Sequence, residues 1–447
     1  MLTVLVAVLL FGFATILFHW LFQNNRVYKH FDSVIQTYEN VSEEGEPMNV
    51  INVKKPFISV HKGNMLSWDA QPYNILREHL YDPDYTWKGY FAFFPLFPLL
   101  WRFLNLSPIG ISIFNWFLYA IGLSLVALLF GNSLPRWHFG LLLCLPFAVI
   151  FMIPYSESLF FICIALGMLG IMKNRYWLYF VGFFFAVATR SAGNILIVAW
   201  IIVDVLSAFS AKSSVKTTLL DILRHIAPVV LGILAVMIFQ HLRGAEHWFE
   251  YVLAQKEWGK YLSLPTLPFT DWSKEGSSVT RPLVYMLFIP AMVWLAIQAW
   301  HMVVGKTKRT IGSREKLRML SVLFFVGNVL IALLTQHGCL NSLARYLTCT
   351  PFFAFLVIDY SIAIKDKPWR WGMLIAILAT LILCFSMFFK SFTLGSWIVL
   401  LLAILVFYGA NIKGCVRYTL LTITILLNIF WTAYLFNCFL NDGWIFT

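Results

Sequence analysis

The chain has 447 residues, 60% of them hydrophobic and 12% charged, with a formal net charge of +12 at pH 7. Soluble domains carry about 25% charged residues, so this composition excludes a soluble globular protein and places most of the chain in lipid. The seven cysteines are scattered, without Cys-x-x-Cys or Cys/His spacing, and read as small buried hydrophobes rather than as disulfide or metal-binding pairs.

In chain order, residues 2–22 form an apolar run long enough to span a bilayer as a helix. The run has no basic leading region and no small-residue cleavage site, so it reads as a first transmembrane helix rather than a signal peptide. Residues 23–107 are the first large loop, polar and weakly patterned at the start. Trp68-Asp69 then opens a predicted helix, and an aromatic run from Phe91 to Leu104 follows, too short to span and suited to a re-entrant or interfacial helix. Further spans are expected near 109–131, 138–153, 156–172, 177–189, 193–205, 226–243, 282–303, 317–336, 346–363, 371–389, 394–411 and 417–438. The two short segments 177–189 and 193–205 turn around Arg190-Ser191-Ala192-Gly193, where an arginine should face protein or water rather than lipid. The expected fold is all-α: one multi-pass membrane domain over 1–447 with about 11–13 transmembrane segments, a first extracytoplasmic loop at 23–107 and a second at 244–281.

The charges give this arrangement a direction. With the N-terminus cytoplasmic, the basic residues of the short loops lie overwhelmingly inside, from Arg136, Lys173 and Arg175 through Arg314, Lys316 and Arg318 to Lys413 and Arg417. The short outer turns hold only Arg190, Arg345 and Lys390. Basicity is therefore a topology signal, and nucleic acid is not an expected partner. Carboxylates concentrate in the two outer loops, which directs the search for chemistry to the extracytoplasmic face.

Each candidate there has a plain reading beside a functional one. Asp69 is either a helix N-cap or a carboxylate held for acid–base chemistry. Glu157, in Pro154-Tyr155-Ser156-Glu157-Ser158, either caps the next helix or serves the site. Arg190 is structural or functional at its break. The 251–260 stretch, with Gln255 and Trp258, reads chiefly as an aromatic interfacial helix. His337 is a weak signal, more a hydrogen-bonded polar residue than a base. Arg345, beside Tyr346, either anchors to headgroups or pairs bidentately with a lipid phosphate.

Trp68-Asp69-Ala70, Phe91-Ala92-Phe93-Phe94-Pro95-Leu96-Phe97-Pro98, Tyr155-Ser156-Glu157-Ser158-Leu159-Phe160, Thr189-Arg190-Ser191, and Ala254-Gln255 with Trp258-Gly259 occur in an order that resembles the PIG-V family. That family comprises the second mannosyltransferase of GPI-anchor assembly and its prokaryotic relatives, within the GT-C membrane glycosyltransferases. The resemblance covers roughly residues 60–350. It departs at the polar insertion before Trp68 and at Thr189-Arg190-Ser191-Ala192-Gly193-Asn194, where the family more often has Asn at the fourth position.

The resemblance implies transfer of a sugar, with inversion, from a polyprenyl or dolichyl phosphate donor to a hydroxyl of a lipid-linked or glycan acceptor. Asp69 would be the catalytic base, and Arg190 and Arg345 would stabilise the leaving lipid phosphate. Trp68, Tyr73, Glu157, Gln255, Trp258, His337 and Tyr346 complete the expected substrate-binding set. No cofactor and no metal are expected, since Asp82-Pro83-Asp84 reads as a proline turn. The membrane would be the endoplasmic reticulum in a eukaryote and the inner (plasma) membrane in a bacterium. Two alternatives share these features. A lipid-linked sugar transporter or flippase would place its charges near the midplane and show two related halves, and an O-antigen-ligase-like enzyme differs only in motif order.

Overall fold

In lipid a long apolar run satisfies its backbone N–H and C=O groups only by closing them into a helix. The computed structural model describes residues 2–24, 56–131, 134–264, 289–304, 310–335, 342–363, 372, 394–443 and 445, and every regular element among them is helical. Six described helices are long and apolar enough to cross a membrane: Leu2–Phe22, Pro108–Leu128, Ser191–Ala211, Val215–Leu242, Ser313–Thr335 and Gly414–Leu440. Shorter apolar helices run over Glu157–Met172, Tyr176–Thr189, Ala291–Val304, Pro351–Ala363 and Trp397–Asn411. The expected span 371–389 lies, save for Gly372, outside the described residues.

Residues 138–153 depart most from expectation. They form a short helix, Arg136–Gly140, followed by two 3-10 turns, Leu141–Cys144 and Ala148–Met152. Pro146 explains the break, because it has no N–H to donate and drives Leu145 into extended geometry (φ −66°, ψ 123°). Irregular backbone survives at such a depth only inside protein. Here the Asn428 amide donates to the carbonyls of Leu143 and Leu145, both at 2.9 Å, and the Asn115 amide donates to those of Ile153 and Tyr155, also at 2.9 Å. Hydropathy alone reads such a run as a span.

Three other boundaries shift. The 226–243 span belongs to a helix that begins at Val215, where Ser214 Oγ accepts from Thr217 N at 3.2 Å, so Lys216 and Arg224 lie on the helix rather than in a loop. The 346–363 span divides into Leu343–Thr348 and Pro351–Ala363, with proline opening the second piece. The 91–104 run is a 3-10 turn, Lys88–Ala92, and a nine-residue helix, Leu96–Leu104.

The hairpin of Glu157–Met172 and Tyr176–Thr189 positions the site. Its backbones touch: a Cβ at Gly182 would lie 2.3 Å from Gly167 N, and one at Gly170 would lie 2.3 Å from Tyr179 N. Small residues permit this approach. The antiparallel pairing brings the start of one helix and the end of the next, Glu157 and Arg190, to the same level. The other connections sort likewise. At this end Gln240 Nε2 donates to Phe91 O at 2.8 Å and Ser263 N donates to Leu334 O at 2.8 Å. At the opposite end Ser313 Oγ meets Asn174 Oδ1 at 3.4 Å and Tyr176 OH donates to Arg224 O at 3.0 Å. Lys173, Arg175, Lys212, Lys413 and Arg417 belong to helix ends and turns of that opposite set.

Candidate active site

Asp69 stands at the start of the Ala70–His79 helix, yet its side chain makes no capping bond. The carboxylate turns into the protein, where Arg345 Nη1 donates to Oδ2 at 2.7 Å. The capping reading of Asp69 is thereby replaced by a tertiary ion pair. Trp68 precedes it in the left-handed region, φ 53°, which a bulky residue adopts only when its surroundings impose it. Its indole N–H donates to Gly443 O at 3.1 Å, and the Asp69 N–H donates to Tyr155 OH at 3.2 Å. The loop before it is tied to the C-terminal helix: Ile58 N donates to Asn437 Oδ1 at 3.1 Å, and Asn437 Nδ2 donates to Pro56 O at 3.3 Å.

The Pro154–Ser158 turn supplies the next layer. Ser156 precedes the Glu157–Met172 helix without capping it. Its hydroxyl instead pairs with Tyr73 OH at 2.7 Å and accepts from Arg190 Nη1 at 3.1 Å. Glu157, only 3% exposed, has one oxygen shared by two arginines. Arg190 Nη1 lies 2.6 Å from Oε1, and Arg345 Nε donates to the same atom. Oε2 is buried without a partner among the described residues. Arg190 reaches this point because the chain is extended there (φ −152°, ψ 140°) between the end of one helix and a 3-10 turn, Ser191–Asn194.

The result is a chain of charge, Asp69–Arg345–Glu157–Arg190, drawn from four distant segments. Arg345 is 3% exposed and Asp69 is 32% exposed on the side chain, so the buried guanidinium presents a carboxylate that reaches solvent. No hydrogen bond among the described residues reaches Asp69 Oδ1. Burial, followed by the neighbouring Asp69 carboxylate, pushes the Tyr155 phenol well above its usual range. Burial also raises that of Tyr73, against the pull of Arg190. Both stay neutral hydroxyls. The Arg345 guanidinium lies 4.6 Å from the Tyr155 ring centre, over its face.

Asp69, Tyr73, Glu157, Arg190 and Arg345 thus come together, joined by Tyr346, whose ring centre lies 5.9 Å and 5.8 Å from the guanidinium carbons of Arg190 and Arg345. Trp68 flanks them. Trp258 is one step removed: its Nε1 donates to Gly89 O at 2.8 Å, and its ring packs on Phe93, which packs on Tyr73. Gln255 contributes its backbone carbonyl, which accepts from Lys260 N at 3.0 Å. The expected interfacial helix over 251–260 is two short turns, Glu250–Leu253 and Ala254–Trp258. His337 lies outside the described residues. Tyr155 and Ser156, which meet Asp69 and Arg190, stand in the Pro154–Ser158 motif without an expected role of their own, and Lys260 is read only as part of the 251–260 stretch. Asn115 and Asn437, which tie down the neighbouring backbone, have no expected role at all. A polar residue in an apolar run, as at Asn115, was the available signal.

Among the described residues no three His, Cys, Asp or Glu side chains come close enough to hold a metal ion. No family model, curated protein or solved structure matches the chain.

Proposed function

We propose that the chain is a membrane glycosyltransferase of the PIG-V and GT-C type, with about 11–13 transmembrane segments. It moves a sugar, mannose by resemblance, from a polyprenyl or dolichyl phosphate donor to an acceptor hydroxyl on the extracytoplasmic face. The observation that carries this reading is the state of Asp69: one oxygen held by a buried guanidinium, the other unengaged among the described residues, on a side chain a third exposed.

Such a carboxylate is oriented yet open, as a general base must be. Oδ1 takes the acceptor's proton while the acceptor oxygen bonds to the anomeric carbon. The bond from that carbon to the phosphate oxygen breaks with its electron pair, and the lipid phosphate leaves. Attack opposite the leaving group inverts the anomeric centre. Arg345 holds Asp69 in place, and the clustered cations stabilise charge as it develops on the phosphate. The position of the cluster at the helix ends, not halfway along them, favours surface chemistry over transport.

The test is transfer of labelled mannose from a polyprenyl phosphate donor into lipid extract by reconstituted protein. Labelled product that depends on the protein supports the reading. Its absence with both short and long polyprenyl donors contradicts it.

A further inference from the structure

Four charged side chains at the site neutralise one another: two carboxylates against two guanidiniums. A fifth does not fit this scheme. Lys260 follows Gly259, whose left-handed backbone (φ 68°) ends the Ala254–Trp258 turn. The turn is fixed by Trp258 Nε1 donating to Gly89 O at 2.8 Å and by Lys260 N donating to Gln255 O at 3.0 Å. This holds the Lys260 ammonium 5.7 Å from the centre of the Tyr346 ring. The guanidinium carbons of Arg345 and Arg190 lie 5.8 Å and 5.9 Å from the same centre. Three cations therefore converge on one aromatic ring, within the range of cation–π attraction. Among the described residues Lys260 has no carboxylate partner, whereas both arginines do. With Asp69 and Glu157 counted at −1 each and the three cations at +1 each, the cluster carries one positive charge.

Resting on the transferase reading, we propose that Lys260 is the side chain that grips the donor's phosphate, over the Tyr346 face, and that Arg345 is a positioning residue for Asp69. A compact ammonium on a flexible stem suits a phosphate oxygen whose position shifts as the bond breaks. A phosphodiester carries one negative charge, which matches the surplus; a diphosphate carries more. The arginines, already engaged, gain nothing by leaving their carboxylates buried and unpaired.

The experiment measures binding apart from turnover. Purified wild-type, Lys260→Ala and Lys260→Arg proteins in detergent are titrated with a polyprenyl phosphate, with the matching polyprenol, and with inorganic phosphate, and Kd is read from thermal stabilisation. Lys260→Ala should bind polyprenyl phosphate roughly tenfold more weakly, the scale of one contact to a charged group. Its affinity for polyprenol should be unchanged, and Lys260→Arg should recover most of the loss. Labelled-sugar transfer by Lys260→Ala should show both a raised KM for the donor and a lowered kcat, because the ammonium holds the phosphate before and during bond breaking. Wild-type affinity in a folded Lys260→Ala protein overturns the inference and leaves the transferase reading standing. Lys260-dependent binding of inorganic phosphate at equal strength also overturns it, because the site would then not be a lipid-donor site. A wild-type protein that neither binds polyprenyl phosphate nor transfers sugar removes both.

Discussion

The two ends of the helical bundle each bury a carboxylate against a pair of arginines, and they do it differently. At the end away from the site, Asp359 is fully buried, and both of its oxygens are taken: Arg314 Nε donates to Oδ1 at 2.7 Å and Arg318 Nε donates to Oδ2. Those arginines stand four residues apart on one helix, so a single surface delivers both. At the site end the partners come from separate segments: Arg190 stands 33 residues from Glu157, and Arg345 stands 188 residues from Glu157 and 276 from Asp69. There, among the described residues, Asp69 uses one oxygen and Glu157 leaves one buried and unpartnered. A saturated carboxylate fixes structure. A half-engaged one, held by groups that are themselves fixed, is available for chemistry.

Substitutions at the two ends should separate these roles. The largest effect is expected from Glu157→Ala, which leaves two guanidiniums short of a buried partner. Breaking a buried pair from one side costs about 3–5 kcal/mol, so both thermal stability in detergent and sugar transfer should fall. A stable, active Glu157→Ala protein would contradict the arrangement. Arg345→Lys keeps the charge but loses the fork that spans two carboxylates. It should fold and transfer sugar roughly 10²-fold more slowly, the scale of a misplaced catalytic group. Near-normal turnover there would show that Asp69 needs no such brace.

At the opposite end, Asp359→Asn should lower stability by roughly 1–3 kcal/mol, because Arg314 and Arg318 both reach solvent. Transfer per folded molecule should stay at the wild-type value. A selective loss of turnover would erase the distinction between the two ends. Trp68→Phe removes the hydrogen bond to Gly443 O and keeps an aromatic ring. It should cost ~1 kcal/mol and a few-fold in rate, measured as transfer at saturating donor. A drop as deep as that of Arg345→Lys would mean that the indole itself contacts substrate.

Much of this site was legible in the sequence because charge is rare in the chain. Asp69, Glu157, Arg190 and Arg345 stand out against apolar neighbours, and the charge distribution alone places them at a common end. The break at Arg190 was legible too, since 177–189 and 193–205 are each short for a span. The ion-pair register was not, because partners so far apart in sequence are set by helix packing, above all by the glycines of the 157–189 hairpin. Residues 138–153 misled for a related reason. Their composition is that of a span, and distant side chains that take up carbonyls, among them Asn115 and Asn428, allow the run to stay irregular. Lys260 has no role of its own in that reading because a lysine at the end of an aromatic interfacial stretch carries no signal until the fold brings it over Tyr346.

The central claim is that the Asp69 carboxylate removes the acceptor's proton. Asn in its place keeps the shape and can still accept from Arg345, while a carboxamide cannot serve as the base. The direct measurement is the single-turnover rate of labelled-sugar transfer from a polyprenyl phosphate donor by reconstituted Asp69→Asn protein, beside its thermal stability and donor affinity. The account predicts normal stability, donor binding within a few-fold of wild type, and a transfer rate lower by roughly 10²-fold or more. A stable Asp69→Asn protein that transfers sugar at the wild-type rate would contradict it.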